Sequence, residues 1–192
     1  MSVAPAPAVF ADANVLYRAS LRDILIFLAL TDIIELHWSI AVLDEMARAL
    51  IANNRATPAG THALIASMTA ALPDAEVPAA SLPSGVQLPD PDDSHVLGAA
   101  VASGCSILLT SNVSDFPASQ LALCGSIRPI DPDAYLQALL AVDEYPVLEA
   151  VKKSRLKLIK SPLTAGEHID RLGNAGLPGF AAALRQRMDR LA

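Results

Sequence analysis

The chain has 192 residues, 53% of them hydrophobic, with a formal net charge of −6, enough apolar material for a buried core and too much for disorder to be the default. The longest apolar run, Ile24 to Leu30, falls well short of the roughly 20 residues of a membrane helix, and the first residues carry no basic segment of a secretory signal. With Cys105 and Cys124 in no metal-ligand spacing, the expectation is a reduced cytoplasmic protein without a membrane span or disulfide framework.

Residues 8–12 read as a short buried strand. Leu16 to Leu30 reads as a helix, because Leu21, Ile24, Leu25, Leu28 and Ala29 recur at helical spacing. Ile33 to His37 is a second strand, and Ser39 caps a helix from Ile40 to Ala52 with an apolar stripe of Leu43, Met46, Ala47 and Leu50. Thr57 followed by Pro58 starts another helix, to about Leu72. Pro73 to Pro91 is Pro-rich loop with a short strand at Ala75 to Val77. Asp90 to Asp93 opens the next helix in a capping-box-like arrangement, Gly104 closes it, and Ser106 to Thr110 is a buried strand. A strand at Ile127 to Ile130 and a helix at Asp133 to Val142 follow. Strands alternating with helices give right-handed βαβ units around a parallel sheet, an α/β fold. Beyond Asp143 only helices are expected: Glu144 to Lys160, Thr164 to Asn174 and Leu177 to Leu191. The organisation is therefore a sheet domain over residues 1–142 and a helical extension over 143–192.

The charge divides at about the same place. Up to Ala150 there are 5 Lys and Arg against 17 Asp and Glu, a net −12; after it there are 9 against 3, a net +6. An acidic body with a basic end separates a cation site from a surface for polyanions, or else the basic helix is simply a solvated face.

Ligands of an open parallel sheet gather where the strands end. Asp12 ends the first strand, and Asp115 lies just beyond the strand ending at Thr110. Asp93 sits in the first turn of a helix facing that edge, and Glu45 lies on the second helix off its apolar stripe. Each has an ordinary reading. Asp93 with Asp90 and Asp92 stabilises a helix N-terminus, Glu45 pairs with Arg48, and Asn112 and Asp115 form turns. Asp12 resists that treatment, because an acid directly after a buried run is costly unless something satisfies it. Four convergent carboxylates suit Mg²⁺ or Mn²⁺, and with such ions phosphodiester hydrolysis by a metal-activated water. The four histidines, His37, His62, His95 and His168, have no zinc-like spacing, and His95 reads as structural or supporting. Trp38 and Tyr17 read as core or edge residues and not as base platforms.

Taken together, DANVLY at Asp12, LRDIL at Leu21, WSIAVLDEMARAL at Trp38, PDDSHVLGAA at Pro91 and LLTSNVSDFP at Leu108 resemble the PIN-domain family, nearest to VapC-like toxins with a helical C-terminal extension. The resemblance implies a three-layer α/β/α sandwich and a Mg²⁺- or Mn²⁺-dependent endoribonuclease. Its acids would be Asp12, Glu45, Asp93 and Asp115, with Asn14 and Asn112 as supporting polar groups and Asp90 and Asp92 outside them. Asp93 is preferred to Asp92 on its spacing to Val96, Leu97 and Ala100. Ala13 departs from the hydroxyl residue frequent in relatives. The resemblance also implies a cognate antitoxin protein and a homodimer. Lys152, Lys153, Arg155, Lys157 and Lys160 are then candidates for RNA phosphates. The competing readings are a catalytically silent PIN-like scaffold that binds RNA or a partner, and another metal-dependent phosphohydrolase. An aspartyl-phosphate mechanism is disfavoured, because Asn14 stands where its second acid belongs and no Lys lies between Met1 and Val151.

Overall fold

Five short strands, all parallel, alternate with helices along residues 6–191, the residues that the computed structural model describes. The strands are β1 (Ala8–Ala11), β2 (Glu35–Ser39), β3 (Glu76–Val77), β4 (Ile107–Leu109) and β5 (Arg128–Ile130), in the spatial order β3-β2-β1-β4-β5. Val9, Phe10 and Ala11 of the central β1 are fully buried, as a strand covered by helices on both faces requires. Register fixes what meets at the strand ends. Phe10 lies beside His37 of β2, and Ala11 beside Leu109 of β4, so the next residues, Asp12 and Thr110, leave the sheet together.

The helices are α1 (Ala13–Leu16), α2 (Ala19–Ala29), α3 (Ile40–Ala52), α4 (Pro58–Ala71), α5 (Ser94–Ala102), α6 (Ala118–Leu121), α7 (Pro132–Val142), α8 (Glu144–Leu156), α9 (Ala165–Asn174) and α10 (Pro178–Arg185). Two starts follow from local chemistry as expected. The Ser39 hydroxyl accepts the Val42 N–H at 3.3 Å and the Thr57 hydroxyl accepts that of Gly60 at 3.1 Å, with Pro58 in the first turn of α4.

Five expectations need correction, one of them at the C-terminal end, where the helix read from Leu177 to Leu191 stops at Arg185 and a separate 3₁₀ turn follows at Met188–Arg190. The helix read from Leu16 to Leu30 is two helices, because Arg18 is extended (φ −83°, ψ 101°) and its guanidinium donates to the Ala175 carbonyl at 2.9 Å, a tie no local pattern reveals. The second strand lies two residues later than read, at Glu35–Ser39. Asp90 to Asp93 forms no reciprocal capping box: the Asp90 carboxylate accepts the Asp92 N–H at 2.9 Å and caps a 3₁₀ turn ahead of α5. Helix α8 stops at Leu156 and not at Lys160, where Lys157 turns to an ion pair with Asp23 at 2.7 Å. The short α6 after Pro117 is a further element that the sequence pattern did not signal.

The C-terminal helices share the sheet's core. Val147, Leu148, Val151, Ile169, Leu172, Phe180 and Leu184 belong to one buried apolar cluster with the strands. Asp133 of α7 caps α10, accepting the N–H groups of Gly179 at 2.9 Å and Phe180 at 2.7 Å. Among the described residues no helix is long and apolar enough to cross a membrane.

Candidate metal centre

The site forms at the carboxyl edge of the sheet. Asp12 is 4% exposed and caps α1, its Oδ1 accepting the Ala13 N–H at 2.6 Å. Its Oδ2 accepts the Thr110 hydroxyl at 2.7 Å and the Asn14 amide N–H. Asn14 donates also to Thr110 Oγ1 at 3.2 Å, and its own oxygen accepts the Ser111 N–H at 3.0 Å. The Asn112 N–H closes the ring by donating to Thr110 Oγ1 at 3.1 Å. A buried carboxylate satisfied from three sides is thereby fixed in orientation. Burial nevertheless holds Asp12 above the usual carboxylate range, the three hydrogen bonds and His95 pulling the other way.

Asp93, half-buried at the 3₁₀ turn, is pushed up to about 6, first by burial and then by Asp12, Asp90, Asp115 and Glu45. Glu45, on the second turn of α3, is also raised, by burial and by Asp12, with His95 and Arg48 opposing. The carboxylates thus repel one another across a common space. His95 Nε2 stands 3.6 Å from Glu45 Oε2. The expected Glu45 to Arg48 pair is replaced by that contact, and Arg48 donates to the Asp44 carbonyl at 3.4 Å.

The structure brings Asp12, Asn14, Glu45, Asp93 and Asp115 together, with Asp90 and Asp92 exposed at the rim and acting on Asp93 and Glu45. Asn112 contributes its backbone N–H, and its side chain is exposed. The basic residues lie elsewhere. Arg155 donates to the carbonyls of Leu163 and Leu191 and Lys157 pairs with Asp23, while Lys152, Lys153 and Lys160 make no hydrogen bond or ion pair among the described residues. Thr110 and His95 are the members that sequence reasoning undervalued. A threonine at a strand end is unremarkable until the register sets it against Asp12.

The donors suit a hard dication. They are all carboxylate oxygens, two of them raised by burial and then by their like-charged neighbours, a cost that such an ion relieves. Among the described residues no group of three or more His, Cys, Asp or Glu is placed closely enough to hold a metal ion.

Comparison with known proteins bears on the same segments. Residues 8–114 match the family described as PIN domain, and residues 132–186 match the VapC50 C-terminal domain. No curated protein and no solved structure matches the chain.

Proposed function

This chain belongs to the PIN-domain family, matched over more than half its length, and from that premise we propose that it is a metal-dependent endoribonuclease, the toxin of a toxin and antitoxin pair. The observation that carries the reading is the orientation of Asp12 by Thr110 and Asn14 beneath the raised carboxyls of Asp93 and Glu45. Asp12, Asp93 and Asp115, with Glu45, would hold Mg²⁺ or Mn²⁺, which when bound polarises a phosphate oxygen and makes its water a better nucleophile.

The chain's own groups have separate tasks. Thr110 and Asn14 donate to Asp12 Oδ2, so its lone pairs keep one direction. Asp93, pushed up to about 6 by burial and by its neighbours' charges, is the ligand whose charge a dication would relieve most. His95 stands against Glu45 and steadies its carboxylate at the edge of the site. The match to the VapC50 C-terminal domain supports an antitoxin partner and a cytoplasmic setting, and a basic side chain of that partner would find its counter-charge among these acids. A homodimer, the division at residue 142, and phosphate contacts from Lys152, Lys153 and Lys160 belong to the same reading.

Cleavage of a mixed small-RNA pool by antitoxin-free protein tests it, in EDTA, Mg²⁺ or Mn²⁺, with wild type beside Asp12→Asn and Asp93→Asn. Metal-dependent cutting that both folded variants lose is expected. Intact RNA under every metal, or variants that cut like wild type, would leave a binding scaffold as the better description.

A further inference from the structure

Beside the carboxylates the chain builds a second, oppositely charged feature. An open cleft of about 660 Å³ is lined by Tyr17, Arg18, Arg22, Arg55, Arg171 and Gly176, among others. Four arginines face one space in a chain of 14 Lys and Arg against 20 Asp and Glu, and no Asp or Glu lines it. Among the described residues Arg18, Arg55 and Arg171 form no ion pair.

The wall is built, not incidental. Arg22 is 6% exposed, donates to the Leu16 carbonyl, and leaves its Nε–H buried without a partner. A buried guanidinium with an unmet donor is costly, a cost that an anion against this wall would offset. Arg18 is seated on the turn between α9 and α10, donating to the Ala175 carbonyl at 2.9 Å. Gly176 makes room for it: φ is +88°, and a Cβ there would stand 2.5 Å from the guanidinium.

Two elements tie the cleft to the acids. α1 runs from Asp12, its cap at the metal centre, to Tyr17, its cap at the cleft. α3 carries Glu45 at one and Leu50 at the other. Each spacing is five residues, about 7.5 Å along a helix axis. We propose that this cleft holds backbone phosphates of the RNA strand whose scissile bond lies at the carboxylates, an inference that rests on the ribonuclease reading. Arginine forks match phosphate oxygens in pairs. An RNA backbone is favoured over an acidic peptide because the acid site repels any polyanion it must cut, and an adjoining cationic surface has to supply the attraction.

The test is anisotropy of a short labelled single-stranded RNA of mixed sequence with the full chain in EDTA, over a salt series. Arg55 and Arg171 are both exposed, so Arg55→Ala and Arg171→Ala leave the packing of Arg18 and Arg22 alone. Each is expected to weaken binding severalfold and to flatten the log–log salt slope by about 0.7, the double variant by about twice that, while Arg55→Lys keeps most of the slope. Unchanged affinity and slope, no RNA binding, or binding of an oligoglutamate peptide in preference to RNA would each overturn the assignment. The same variants in the cleavage assay separate the two readings. Arginine-dependent RNA binding without metal-dependent cutting sinks the nuclease and keeps the cleft; metal-dependent cutting with wild-type binding in the variants does the reverse.

Discussion

Asp93 sets the demands of the proposed cation site against those of folding. Its carboxyl lies at about 6 in the folded chain against 3.8 ordinarily, through burial and the charges of Asp12, Asp90, Asp115 and Glu45. A raised carboxylate means that the folded chain binds the proton more tightly than the unfolded one. The stability it contributes is present at low pH and is lost as pH rises from about 4 through 6. At neutral pH without metal the ionised cluster therefore strains the fold. Asp93→Asn is expected to raise stability in EDTA near pH 7 by about 1–2 kcal/mol, discounted for partial exposure, while abolishing cleavage. Mg²⁺ should raise the wild-type melting temperature more than the variant's. Thermal melts with and without metal check this, and coincident curves would mean that the carboxylates do not strain one another. At this scale the sequence was legible where burial made a residue anomalous: Asp12 after a buried run, with Asn14 two residues on. It was opaque where a common residue acquires its role from a distant strand. Thr110 counts only because β4 aligns Leu109 with Ala11, and Arg22, inside an apolar helical repeat, gives no local sign that its cationic end is buried.

Among the elements, α5 has the least room to change. Val96 to Ala100 are all buried, and at Gly98 a Cβ would meet the Ala80 carbonyl oxygen at 2.2 Å. Alanine is intrinsically the better helix former by about 1 kcal/mol, so substitution would stabilise an unpacked α5. Here the contact is backbone, which cannot swing aside. Gly98→Ala is expected to lower stability by about 1–3 kcal/mol and, because α5 starts next to Asp93, to weaken metal binding as well. Urea unfolding with a metal titration reads both; a variant at least as stable as wild type would show that the Pro-rich loop yields freely. Helices with their own caps, α3 behind Ser39 and α4 behind Thr57, begin where the sequence says, since the signal lies within a turn of the start. The break at Arg18 and the end of α8 at Leu156 depend on Ala175, Gly176 and Asp23, far away in the chain, and no periodicity encodes them.

For the whole molecule, the division into an acidic body and a basic end is partly internal bookkeeping. Lys157 pairs with Asp23, Arg185 with Asp170, and both Arg187 and Arg190 with Glu144, so several of the nine C-terminal cations are spent on this chain's own acids. What joins the ends is the shared core, and within it His168, 1% exposed, sits between α8 and α9 with its Nε2 2.9 Å from the Ser154 hydroxyl. Burial, then Arg171 and Arg155, push it down to about 4, with Asp23 opposing. A depressed histidine binds protons more weakly folded than unfolded, so its contribution is complete above about 6.5 and is lost as pH falls toward 4. Asp93 runs the opposite way over nearly the same interval. Without metal the two oppose one another, with the raised Asp12 and Glu45 on the side of Asp93, so acidification from about pH 6.5 to 4.5 costs the wild type less than His168 alone would impose. Asp93→Asn removes part of the gain and tilts the balance toward the loss, about 1.4 kcal/mol per pH unit at most; His168→Gln, although less stable at every pH, removes the loss and should grow relatively more stable on acidification. Denaturation midpoints of the three proteins in EDTA across that range decide it. Slopes that diverge in opposite directions place the acid edge and the basic extension in one cooperative unit, whereas three parallel lines would mean that neither group titrates with the fold.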